Sequence, residues 1–187
     1  VFVLTKPLGI GVIMAANMHL VAKAEWVEAA IEQMMKSNQV ASNLLADMNA
    51  TAVTDITGFG LARHALNLSK RVGAKGCALI LPALPLISGT KQLLSSGVRS
   101  SLHEQNREAV IIEQFMPDKT KKFSAHVEAV FDPQTSGGLL GVLPRKSACN
   151  LVDQLNNSGH EAAIIGYLDF TSGSVQLIID EAYSTAG

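Results

Sequence analysis

No charge of one sign dominates this chain: 15 basic and 16 acidic residues leave a formal net charge of −1. A protein so near neutrality does not hold nucleic acid or an anionic membrane through bulk charge. No apolar run approaches the ~20 residues that a membrane span needs. The N-terminus lacks the charged-then-apolar layout of a signal peptide. The two cysteines, Cys77 and Cys149, form no CxxC motif and no disulfide framework. Each lies in an apolar stretch, so both are expected as small core side chains, and reduced thiols fit a cytoplasmic protein. No GxxxxGKS/T phosphate loop occurs. The Gly58-Phe59-Gly60 pair does not extend to a dinucleotide fingerprint, because Arg63 stands where a third glycine is needed and Leu81-Pro82 where an acid should follow. No two of the histidines (His19, His64, His103, His126, His160) share a helix at metal-ligand spacing, and surface or capping roles are expected for them. No aromatics are interleaved with Lys119, Lys121 and Lys122, so that cluster reads as a solvated loop.

What is present fits one ordinary domain: 187 residues, 48% apolar, enough for a well-filled core. The chain opens directly on the buried-strand pattern Val1-Phe2-Val3-Leu4, which suggests a piece cut from a longer protein. Strand and helix signals then alternate. A strand over Val1–Thr5 leads into a turn at Lys6–Gly11. A helix is expected over Ala24–Lys36, burying Val27, Ile31 and Met34 and pairing Glu32 with Lys36. A second follows over 40–48, stopped by Asn49, with Met34, Met35 and Met48 all in the core. A strand at Ala50–Thr54 enters the turn at Asp55, and a helix striped by Leu61, Ala65, Leu68 and Val72 ends at Gly73. Cys77–Leu81 is a strand, Pro82–Ser101 is undecided, and Glu104–Phe115 is a helix. Pro117–Lys122 is a charged loop, and Val127–Phe131 enters a second Gly-rich turn. Leu139–Leu143 is a strand and 148–155 a helix. Strands Ala162–Leu168 and Val175–Ile179, joined by a Gly-Ser turn, read as a closing hairpin. The sum is an α+β fold, a layered domain with a mixed β-sheet carrying helices.

Two segments carry chemistry. In Thr54-Asp55-Ile56-Thr57-Gly58-Phe59-Gly60 a strand ends on one carboxylate and a glycine-bracketed helix begins. Mg²⁺ takes one or two carboxylates from any one element and keeps water and phosphate oxygens as its other ligands. Asp55 is therefore a candidate metal ligand beside free helix amides; the alternative is that Asp55 or Thr57 caps the helix. Asp132-Pro133-Gln134-Thr135-Ser136-Gly137-Gly138 reads either as a backbone nest for an anion or as a tight connection built on its glycines. Lys6 is either a phosphate contact or an exposed turn lysine.

Three blocks in order resemble the C-terminal half of the selenophosphate synthetases (selenide, water dikinases): Leu4-Thr5-Lys6-Pro7-Leu8-Gly9-Ile10-Gly11-Val12, Thr54 to Leu61 with His64, and Asp132 to Leu140. The likeness runs from about Leu4 to Leu168 and implies a domain like the C-terminal domain of aminoimidazole ribonucleotide synthetase. It implies synthesis of selenophosphate, AMP and orthophosphate from ATP, selenide and water, in a cleft holding ATP and several Mg²⁺ ions. It also implies that most metal carboxylates, an essential lysine and a cysteine or selenocysteine lie in an N-terminal half, through which the whole protein forms a homodimer. This half would supply one metal ligand, matched by Asp55. Thr57, Gly58 and Gly60 would shape its wall of the cleft, Lys6 would meet a phosphate, and Thr135, Ser136, Gly137 and Gly138 would border the cleft. Alone, the chain is expected to be inactive. One stretch departs from the pattern: where the family carries a Gly-Gly-Thr run before an Arg-Asn pair, this chain reads Gly97 to Asn106 and keeps only Asn106. The alternatives are a non-catalytic binding or regulatory module of the same fold, and a related ATP-dependent enzyme.

Overall fold

The computed structural model describes residues 1–114, 124–171 and 177–180, with side chains described for 1–110 and 124–171. The expected loop Pro117–Lys122, the Gly-Ser turn after residue 171 and the end of the helix at Phe115 lie outside the described residues.

Strand β1 (Phe2–Leu4) has three apolar side chains in a row because both its faces are covered. Phe2 and Leu4 enter one core layer and Val3 the other, all 0% exposed. Around it run β2 (Ala52–Asp55), β3 (Gly76–Ile80), β4 (Leu139–Val142), β5 (Ala163–Asp169) and β6 (Leu177–Asp180) in one sheet of order β2-β4-β1-β5-β3-β6. β1 pairs antiparallel with β4 and β5, β2 with β4, and β3 with β5, whereas β3 and β6 are parallel. The mixed sheet is as expected, but the closing hairpin is not. β5 already has β1 and β3 at its edges, so the last strand joins β3 instead. Two successive short apolar runs look alike in sequence whichever neighbour they take.

Helices α3 (Gln39–Asp47) and α8 (Arg145–Asn157) cover one face, where Ala41, Leu45, Leu151 and Leu155 meet Val3 and Ile164. Helix α4 (Gly60–Arg71) covers the other, with Leu61, Ala65 and Leu66 against Phe2, Leu79 and Ile165; α6 (His103–Gln114) packs beside it and adds Val110. A third apolar cluster joins α1 (Ile10–Met18), α2 (Ala24–Met35), α5 (Thr90–Ser95) and α7 (Ala125–Ala129). Among the described residues no helix is long and apolar enough to cross a membrane.

Helix α1 stands where only a turn was expected. Ile10, Val12, Ile13, Ala15 and Ala16 are all buried, so it is apolar nearly all round and shows no polar stripe to mark its period. Three further expectations are corrected. On α2 the buried residues are Ala30 and Gln33, while Ile31 is 45% and Met35 80% exposed. The helix stops at Met35, so Lys36 leaves Glu32 and donates to the Gly159 carbonyl at 2.6 Å. Cys149 is exposed, whereas Cys77 is in the core, and His103 and His160 are buried rather than on the surface.

Candidate functional site

Along β2 the side chains alternate: Ala52 and Thr54 are half-buried, Val53 and Asp55 exposed. Ile56 then turns into the core at 1% exposure. Its amide donates to the Gly138 carbonyl at 2.9 Å, and the Gln134 amide donates to the Thr57 carbonyl at 3.1 Å. The two Gly-containing segments, some eighty residues apart, are thus bonded side by side. The opening block closes the arrangement. Leu139 donates its amide to Thr5 Oγ1 at 2.8 Å, and the Thr5 amide donates to the Leu139 carbonyl at 3.0 Å. A Cβ on Gly137 would fall 2.3 Å from the Ile56 carbonyl oxygen, and one on Gly138 2.7 Å from the Lys6 amide. Both glycines are present because backbone passes where a side chain would sit.

Lys6 is neither of the things its turn suggested. It is 2% exposed, and its ammonium donates to the carbonyls of Gln33 (3.2 Å), Lys36 (2.6 Å) and Ser136 (3.0 Å). Burial, and then the charge of Lys36, hold its pKa below the ordinary lysine value. With all three donors used inside the protein, Lys6 ties the end of α2 to the second turn and offers no contact to a phosphate.

Neither Asp55 nor Thr57 caps α4. The N-cap is Phe59, without a side-chain bond. Gly60 is buried at φ +74°, where a Cβ would press on the Val130 and Phe131 backbone, and the Ala62 amide donates to the Val130 carbonyl at 2.9 Å. The start of α4 is therefore packed on the chain itself, and Gly60 serves that packing rather than a ligand. Gly58 is half-buried, and its carbonyl accepts from Asn106 Nδ2 at 2.7 Å; the same amide donates to the Phe131 carbonyl at 3.1 Å. Asn106, the one residue kept in the divergent stretch, thus clamps both turns. Elsewhere in that stretch Arg99 donates to the Leu94 and Val98 carbonyls at 2.7 Å and lies 3.4 Å from Glu128. Burial raises the Glu128 pKa, but His103 and Arg99 outweigh it and hold the carboxyl below its usual range. A groove of about 510 Å³ between α4 and α6 begins at Gly58 and Phe59.

The second turn is mostly scaffold. Gln134 Oε1 accepts the amides of Gly9 and Ile10, each at 3.3 Å, and so caps α1 from across the fold. Gln134 Nε2 donates to Asp132 Oδ2 at 3.0 Å. Asp132 is 0% exposed, and its Oδ1 lies against Gly11, where a Cβ would be 2.7 Å away. Burial pushes the Asp132 pKa up to about 7, opposed by the amides of Val12 and Gly11 and by Gln134. Only the tip, Thr135 and Ser136, is exposed, with Ser136 at φ +49°. None of the Thr135–Gly138 amides donates to another group among the described residues.

Asp55 fits a metal ion in part. Its carboxylate is exposed and takes no hydrogen bond among the described residues. Among those residues no group of three or more His, Cys, Asp or Glu side chains could hold a metal. One carboxylate is available, and the remaining ligands have to come from elsewhere.

Residues 1–177 match the family described as AIR synthase related protein, C-terminal domain. The chain is 36% identical over 183 residues to a selenide, water dikinase of Porphyromonas gingivalis, covering 95% of this chain and 50% of that protein. It is 34% identical over 164 residues to one of Desulfitobacterium hafniense, covering 88% and 47%. The chain spans about half the length of the curated relatives it matches. Among solved structures it superposes on the hydrogenase maturation protein HypE in complex with ATP with a TM-score of 0.62 at 16% identity, covering 97% of this chain and 47% of that one.

Proposed function

The chain belongs to the AIR synthase related family, as its C-terminal domain, and from that premise we propose that it forms one wall of the ATP and Mg²⁺ cleft of a selenophosphate synthetase. The observation that carries this reading is the meeting of the three blocks. Residues 5–6, 55–58 and 132–139 are hydrogen-bonded into one unit, at whose edge the Asp55 carboxylate stands exposed. The naming of its relatives as selenide, water dikinases supports the substrate, and the ATP named with the HypE structure supports the nucleotide.

In this reading Asp55 is a Mg²⁺ ligand, Thr57 and Gly58 shape the wall beside it, and Thr135 and Ser136 border the phosphates with the amides of their turn. Bound Mg²⁺ neutralises the charge on the phosphate oxygens during phosphoryl transfer. The chain positions that ion and excludes nothing else by itself, so an N-terminal half must bring the other carboxylates, the nucleophile and the homodimer contacts. The whole protein would then convert ATP, selenide and water to selenophosphate, AMP and orthophosphate in the cytoplasm. AMP formation measured with selenide tests the division of labour: the 187 residues alone are expected to give none, and turnover by them alone would overturn it.

A further inference from the structure

The Asp55 turn is held by a side chain that the proposed chemistry does not use. His64 lies one turn into α4, four residues after Gly60, so its side chain tilts back toward the start of the helix. The Thr57 amide donates to His64 Nε2 at 3.2 Å, and Thr57 Oγ1 lies 3.1 Å from the same nitrogen. An amide N–H donates only to a ring nitrogen that carries no proton, so Nε2 is bare and the proton of the neutral ring sits on Nδ1. His64 is half-buried and its pKa is lowered by that burial, with the negative charge of Asp55 opposing. The Phe59 ring, tilted by 56° at 6.3 Å, flanks the imidazole. The other polar backbone groups of the turn are tied to distant segments: Ile56 to Gly138, the Thr57 carbonyl to Gln134, and Gly58 to Asn106. The Thr57 carbonyl also accepts the Gly60 amide at 3.1 Å, so both backbone groups of Thr57 are tied to the helix that the turn leads into, the amide through the His64 side chain.

We propose that His64 is the positioning residue of this turn: as the Nδ1–H tautomer it fixes the Thr57 amide and hydroxyl, and thereby the backbone from which the Asp55 carboxylate is presented. The metal part of this inference rests on the function proposed above; the part concerning the turn does not. Loss of His64 leaves the Thr57 amide to water and lets residues 55–58 relax.

Two measurements on the 187-residue chain test the turn. Nitrogen-15 NMR of the His64 ring is expected to find Nδ1 protonated and Nε2 bare at pH 7.5. Hydrogen exchange at the Thr57 amide is expected to quicken by about threefold to tenfold in His64→Phe, the scale of one lost hydrogen bond. It should recover in His64→Gln, whose carbonyl oxygen is again an acceptor. A proton on Nε2, or unchanged Thr57 exchange in His64→Phe, overturns the proposal. Should His64→Phe not fold, the ring tautomer and the His64→Gln exchange rate decide it. In the proposed full-length parent, the Mg²⁺ concentration for half-maximal activity should rise in His64→Phe and return toward the unaltered value in His64→Gln, a pattern that a general loss of stability would not produce. A parent in which Asp55→Asn is fully active removes the metal reading, while the tautomer and the Thr57 exchange still judge the turn.

Discussion

Asp55 closes β2 in solvent, with no hydrogen bond to its carboxylate among the described residues, whereas Asp132 opens the second turn at 0% exposure and is held by Gln134 at 3.0 Å. In sequence the two segments look alike: an acid, then two residues in the first and four in the second, then two glycines, split by Phe59 in the first. In the fold they divide the work. An exposed carboxylate keeps its lone pairs for a cation, while burial pushes the other toward its protonated form and its oxygens are taken up by a helix start and a neighbouring amide. The glycines divide likewise. Gly137 and Gly138 admit the backbones of Ile56 and Lys6, and Gly60 admits the Val130 and Phe131 backbone. The resemblance of the two segments is therefore a resemblance of constraint, and the difference in burial sets the chemistry.

The sharpest break in this comparison is expected from Asp55→Asn in the proposed full-length parent. AMP formation should fall by about 10³-fold, with the melting temperature kept within about 2 °C; near-normal turnover would leave Asp55 without a metal role. Stability should instead respond to the groups around the second turn. Lys6→Met strands three carbonyls that now share one ammonium and is expected to cost about 3 kcal/mol in chemical denaturation. A loss below about 0.5 kcal/mol would mean that water replaces the ammonium freely. Gly138→Ala forces a Cβ toward the Lys6 backbone and should cost about 2 kcal/mol, with Thr5 and Leu139 shifted in amide NMR spectra. Unshifted spectra would deny the close approach.

A pH titration of stability sharpens the contrast between the two acids. The native Asp132 holds its proton up to about 7, above the ordinary value of 3.8. Between those values the folded chain binds a proton that the unfolded chain releases, so the contribution of Asp132 to stability declines as pH rises through that window. Asp132→Asn should flatten that decline. An unchanged slope in that variant would show that Asp132 is ionised throughout. The smallest effect is expected at exposed Cys149, where serine should alter stability by less than about 0.5 kcal/mol.

Much of the fold was legible because local periodicity and packing agreed. The stripe of Leu61, Ala65 and Leu68 is buried as its spacing predicts, and Gly73 (φ +74°) and Asn49 (φ +53°) end their helices in left-handed conformations. Helix α1 was not legible, since its cap is the side chain of Gln134, more than a hundred residues away. The partner of β6 was hidden for the same reason: strand neighbours are chosen across the sheet. At the site, Asp55 was readable as an acid at a strand end. Lys6 was misread because its three carbonyl partners come from α2 and the second turn. His64 stands with the central block and Asn106 in the departing stretch, but only the folded chain shows them gripping Thr57 and Gly58.

Sequence alone determined the α+β class, the order of most elements and the three blocks that mark the family, because each is written in residues close together along the chain. Tertiary structure decided which acid is exposed, which carbonyls take the hydrogen bonds of the buried lysine and which strand lies beside which. Those outcomes depend on burial and on hydrogen bonds between distant segments, and neither exists until the layers have closed around β1.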